Sequence, residues 1–208
     1  MPGAEVPARR QRRRAAAVAG HAGDGAAARA FLSDPDPSVR ATAYAALARL
    51  GDLSADELIL ALRDGDAAVR RRGTALAAAF VERASVVDAL FARLDDADHL
   101  VAEAAAWAFG EWGQDNPRLD ETVAALATIT TDHAEPLCRE AAVAALGAIG
   151  DARGLGAILV ACGDKPAVRR RAVLALAPFD GPEVEAAIDK ALTDRDWQVR
   201  QAAADLRR

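Results

Sequence analysis

The stretches DAAVRRRGTALAAAF (residues 66–80) and DKPAVRRRAVLALAPF (residues 164–179) read almost alike. Each opens on an aspartate, places a valine ahead of three consecutive arginines, continues in alanine and leucine, and reaches a phenylalanine eleven positions after the valine. Such a pair is either two anion sites or one structural unit written twice. The rest of the chain favours the second reading, because the pattern recurs. It returns as DPSVRATAYAALARLGD from Asp36, DHLVAEAAAWAFGEWG from Asp98, EPLCREAAVAALGAIGD from Glu135 and DWQVRQAAADLRR from Asp196. A half-copy, QRRRAAAVAGHAGD, starts at Gln11.

The apolar anchors of the six copies are Val39, Val69, Val101, Cys138, Val168 and Val199, at intervals of 30, 32, 37, 30 and 31 residues. A fixed period of this size marks a repeat architecture, in which each unit buries its apolar face only by stacking on its neighbours. Between the copies lie shorter amphipathic segments: AAARAFLSD, SADELILALRD, SVVDALFARLD, LDETVAALATIT, GLGAILVAC and PEVEAAIDKALTD. Their apolar residues fall three and four apart, which is one face of a helix. Glycine and proline fall where turns are needed, as at Gly51, Gly65, Gly113 to Pro117, Gly150, Gly163 and Gly181-Pro182. The repeat is therefore two antiparallel helices, and the face counted from Val168 runs through Ala172, Ala175, Leu176 and Phe179.

Composition points the same way. Of 208 residues, 52% are apolar but only 4% aromatic, and alanine fills the difference. Alanine favours helix, whereas strands draw on β-branched and aromatic residues. No apolar run reaches the roughly 18 to 20 residues that cross a bilayer. The cysteines, Cys138 and Cys162, form no disulfide framework, and a cytoplasmic protein is expected. Residues 1–14 hold five of the 26 basic residues and one of the 31 acidic ones, so the remainder carries 21 against 30. A general nucleic-acid binder would carry a basic domain, and this body is acidic.

The unit D-x-x-V-R-x-x-A-A-x-A-L-G-x-x-G-D resembles the short HEAT-like repeat of phycocyanobilin lyase subunits, which is widespread in bacterial proteins. The resemblance covers about residues 9–208 and implies an all-α, right-handed α-α superhelix. About six two-helix repeats plus an N-terminal half-repeat are expected in one domain, 9–208, behind a disordered tail, 1–8. It further implies a structural ladder of charged hydrogen bonds between neighbouring repeats. The matching positions are Asp36 and Arg40, Asp66 and Arg70, Glu135 and Arg139, Asp164 and Arg169, and Asp196 and Arg200. Charge chemistry agrees, since a carboxylate caps a helix start and a planar guanidinium bridges two groups.

Arg71, Arg72, Arg170 and Arg171 are surplus to such a ladder. The stretch AAAWAFGEWGQDNP (104–117) places Glu111 between Trp107 and Trp112 and has Ala102 where the ladder arginine would stand. The expected partner surface is the concave side, with Arg71, Arg72, Trp107, Glu111, Arg170 and Arg171. Its partner is expected to be another protein, an acidic segment being one form. Catalytic residues, metal and cofactor are expected to be absent. His21, His99 and His133 stand alone, without the His-Glu motifs of the iron-dependent deoxyhypusine hydroxylases, and no phosphate-binding loop or nucleophile elbow occurs. The expected function is a non-catalytic protein-binding scaffold or adaptor. Two alternatives come from the resemblance: an alkylpurine DNA glycosylase, with Trp107, Glu111 and Trp197 cradling a base, and a tetrapyrrole lyase or chaperone.

Overall fold

The structure, a computed structural model, describes residues 5–80 and 84–208. Its helices form two compact units, one ending at Arg93 and the other beginning at Leu94. The first holds α1 (Glu5–Ala22), α2 (Gly25–Arg29), α3 (Pro37–Leu50), α4 (Ala55–Leu62), α5 (Ala67–Ala77) and α6 (Ala84–Phe91). The second holds α7 (His99–Trp112), α8 (Leu119–Asp132), α9 (Pro136–Ile149), α10 (Leu155–Ala161), α11 (Pro166–Ala175), α12 (Pro182–Leu192) and α13 (Trp197–Leu206). Residues 1–4 of the expected tail lie outside the described residues, and α1 opens at Glu5, within the stretch 1–8.

Several helices start where the sequence supplies a side-chain cap. Asp36, Asp66, Asp98 and Asp196 each accept a hydrogen bond from the backbone N–H two residues on, and Ser54 with Glu57 forms a capping box. Proline opens α3, α9, α11 and α12, where a missing N–H costs nothing. Gly51 and Gly150 end α3 and α9 in the left-handed conformation, at φ of 72° and 68°. Helix α11 stops at Ala175, ahead of Pro178, so Phe179 lies beyond the helical face on which the sequence placed it.

The six anchors from Val39 to Val199 are all buried. In the second unit α7 packs on α9, α9 on α11 and α11 on α13, while α8, α10 and α12 each lie against the second helix of their own repeat. In the first, α1 packs on α3, α3 on α5, and α4 on both α5 and α6. Small residues let the second helices approach closely. A Cβ added at Gly147 would fall 2.6 Å from the Ala175 Cα, and one at Gly20 would fall 2.7 Å from the Ala46 Cβ.

Between successive loops runs a set of charged rungs. Arg12 reaches Asp34, Arg40 reaches Asp64, Arg139 reaches Asp164 and Arg169 reaches Asp194, each through two guanidinium nitrogens at 2.6 to 3.2 Å. The pairing differs from the one drawn on sequence. In the rungs to Asp34, Asp64 and Asp194 the acid is the first aspartate of a D-x-D pair in the following loop, and the second aspartate caps the helix. That first carboxylate has a further task. Asp34, Asp64 and Asp194 also accept from the backbone N–H two residues on. Arg40 in turn donates to the carbonyls of Asp34 and Pro35 in its own loop, and Arg70 and Arg200 do the same in theirs. One arginine thus fixes the loop before its helix and the loop of the next repeat.

Asp164 is the exception among the caps. Its loop is one residue shorter, so Asp164 takes the rung from Arg139, and Lys165 at the helix start makes no side-chain cap. Glu135 likewise makes no side-chain cap. One rung is missing at both ends. Ala102 stands at the arginine position of α7, and His133 stands at the aspartate position before α9. His133 keeps the backbone half of the aspartate's task, since its Nδ1 accepts from the Glu135 N–H at 3.1 Å and its carbonyl accepts from Arg139 at 2.7 Å.

Three testable outcomes follow from these contacts. Gly147→Ala is expected to cost about 1 to 3 kcal/mol by overpacking, whereas Gly156→Ala, with open space at its Cβ, is expected to gain about 0.5 kcal/mol; urea unfolding compares the two. Arg169→Met, which strands Asp194 in a largely buried rung, is expected to cost about 2 to 4 kcal/mol, and Arg71→Met, on an exposed site, less than about 0.5 kcal/mol. The third concerns pH. The Arg12, Arg139 and Arg169 guanidinium groups hold Asp34, Asp164 and Asp194 below the usual carboxylate range; burial pushes Asp64 up, but Arg40 outweighs it and its pKa is lowered too. A carboxyl more acidic in the fold stabilises above its unfolded value of about 3.9, and that stability is lost as pH falls through the folded value. Melting temperature is therefore expected to fall on acidification below about pH 5, and Asp194→Asn to flatten that fall.

Candidate partner-binding groove

Helix α7 presents Glu103, Trp107 and Glu111 four residues apart, so the three side chains share one stripe. Opposite them α9 offers Leu137, Glu140, Ala141, Ala144 and Ala148, and α11 contributes Arg171. Together they line a groove of about 460 Å³. Its floor is alanine because α9 must approach α7 closely at Gly110 and Ala145. The groove is thus a by-product of the packing rule that builds the repeat.

The two tryptophans of this repeat have different roles. Trp112 is buried and meets Phe109 edge to face, with ring centroids 5.2 Å apart. Trp107 is 45% exposed and Leu137 41% exposed, which leaves an indole and an isobutyl group facing water across the groove. Exposed tryptophan is costly in surface terms and frequent at interfaces.

Charge is unevenly placed. Arg170 and Arg171 both lie toward Glu140, at 3.8 and 3.7 Å. Among the described residues the side-chain carboxylates of Glu103 and Glu111 are held in no ion pair or hydrogen bond. The α7 side is therefore acidic, whereas the opposite side sets two arginines against the one carboxylate of Glu140.

Of the residues expected to form one partner surface, Trp107, Glu111 and Arg171 share this groove, and Arg170 borders it through Glu140. Arg72 lines a different groove of about 650 Å³ in the first unit, between α3 and α5, with Arg49, Leu76 and Phe80. Arg71 is exposed and lines neither groove. Trp197 is 65% exposed at the start of α13 and is not among the side chains of the α7 groove. The sequence reading missed Glu103, Leu137, Glu140 and the alanine floor. Glu103 was within reach, since it stands one turn before Trp107. The α9 side was not, because the repeat pattern does not say which neighbour faces a given stripe.

Neither cysteine is a ready nucleophile. Burial pushes the Cys138 and Cys162 thiols up to about 11, so both are protonated near neutral pH. No helix of the described residues is long and apolar enough to cross a membrane.

Residues 87–166 match the family model for HEAT repeats. Solved structures extend the likeness over most of the chain. Escherichia coli YibA is 19% identical, with 85% of this chain and 67% of that chain covered and a TM-score of 0.64. A designed armadillo repeat protein in complex with the peptide (KR)4 is 19% identical, with 86% and 96% covered and a TM-score of 0.66. The complex of CpcE and CpcF of phycocyanin lyase from Nostoc sp. is 23% identical, with 86% and 74% covered and a TM-score of 0.61. No curated protein sequence matches the chain. The fold is that of the HEAT and armadillo-like repeat proteins.

Proposed function

We propose that this HEAT-repeat chain is a non-catalytic protein-binding scaffold that grips its partner in the groove between α7 and α9. The observation that carries the reading is the exposed Trp107 facing Leu137 over an alanine floor. An aromatic anchor beside a shallow apolar trough is the usual core of a protein interface. The designed armadillo protein of similar fold holds a peptide, which supports this use of stacked helices.

Trp107 with Glu111 one turn on is also the pairing that favours a DNA glycosylase, since stacking plus a carboxylate suits a cationic sugar. The Glu103 and Glu111 carboxylates line the same groove and repel a phosphodiester backbone, and Trp197 supplies no second wall there. The lyase reading rests on a fold likeness at 23% identity, and fold alone carries no chemistry.

The test is affinity capture from the native lysate with the wild-type chain and with a Trp107→Ala, Ala144→Gln double variant. Both positions line the groove and neither belongs to a rung, so the variant is expected to fold. A protein retained near stoichiometry by the wild type and lost from the variant is the expected result. Retention of every captured protein by the variant would remove the groove from the account. Nucleic acid as the only material lost would restore the glycosylase reading.

A further inference from the structure

The charge around Trp107 narrows the partner. Glu103 and Glu111 stand one turn before and one turn after it, and a rise of about 1.5 Å per residue puts them about 12 Å apart along α7. The indole between them has no stacking partner among the described residues: the aromatic pair of this helix is Phe109 with Trp112, on the buried side. The one acid on the far wall, Glu140, is already faced by Arg170 and Arg171. The acidic segment expected from the sequence would meet two uncompensated carboxylates beside the anchor.

We infer that the groove takes a Lys- or Arg-bearing segment of the partner protein, with one cationic side chain lying on Trp107 between Glu103 and Glu111. This rests on the protein-binding reading and adds the chemistry of the bound segment. Three features of the site suit a cation. The π-face of tryptophan attracts ammonium and guanidinium groups. The flanking carboxylates accept their N–H donors. The apolar stems of lysine and arginine cover Leu137 and the alanine floor while the charged head stays at the wet rim. An extended segment presents alternate side chains about 6.7 Å apart, close to the rise of about 6 Å between positions four apart on a helix. One basic side chain on Trp107 and another beside a flanking glutamate is therefore a sterically ordinary arrangement.

Fluorescence polarisation with fluorescein-labelled hexa-arginine and hexa-glutamate peptides tests the inference. The basic peptide is expected to bind with an affinity that falls as salt is raised, and the acidic one not to bind. Trp107→Ala, which leaves the charge unchanged, is expected to weaken hexa-arginine by about fivefold. Glu103→Gln with Glu111→Gln is expected to weaken it by about tenfold. The control pair Asp56→Asn with Glu183→Gln removes the same charge outside the groove and is expected to change little. Equal affinity for wild type and Trp107→Ala, equal loss in the control pair, or preference for hexa-glutamate would overturn the inference. Its failure is separable from failure of the scaffold reading. A captured partner that needs the groove but engages it through an acidic or neutral segment overturns only the inference, whereas a groove block that releases nothing overturns both.

Discussion

The structure depends on one doubly used side chain, the first aspartate of the D-x-D pairs that open at Asp34, Asp64 and Asp194. With one oxygen it accepts from the backbone of its own loop, and with both it receives the fork of an arginine from the preceding repeat. A repeat stack has no long-range contacts to fix the phase between neighbours, so nearest-neighbour terms must set it. Hydrophobic burial of Val39, Val69 and their counterparts drives the stacking but is indifferent to a small rotation of one repeat on the next. A bidentate pair is not, because its geometry is planar and directional. The alanine and glycine surfaces between second helices then need only be smooth enough to close.

The absence of a rung between Ala102 and His133 takes on meaning against that background. Both ends of the pair differ from their counterparts in the other repeats, and they flank the contact of α9 with α7, the helix that carries Trp107. The contact between α7 and α9 is held instead by close packing at Gly110 and Ala145. This is where the alanine-floored groove opens and where the surface departs from the repeat, in keeping with a binding site grafted onto a regular scaffold.

Much of this architecture was legible in the sequence, because a period near 31 residues and a three-to-four spacing of apolar residues leave few alternatives to paired helices. The caps at Asp36, Asp66, Asp98 and Asp196 could be read residue by residue. The rung pairing could not. Asp36 and Asp34 are equally acidic and two positions apart, and only the path of the loop decides which one faces the arginine of another repeat. Asp164 carries the same lesson, since a loop shorter by one residue turns an apparent cap into a rung. At the groove, Trp107 and Glu111 stood out by residue type, whereas Glu140 and the alanine floor acquire a role only once α9 lies beside α7. The arginine triplets that first drew notice divide accordingly: Arg169 joins a rung to Asp194, while Arg170 and Arg171 lean toward Glu140.

The central claim is that a protein partner lies in the groove between α7 and α9. Site-specific photo-crosslinking in living cells tests it most directly, with a photoreactive amino acid placed either at Ala144, inside the groove, or at Val160, 63% exposed on α10 of the same unit. The account predicts a discrete protein adduct from position 144 and none from position 160. Adducts from position 160 alone, or the same set from both positions, would contradict it.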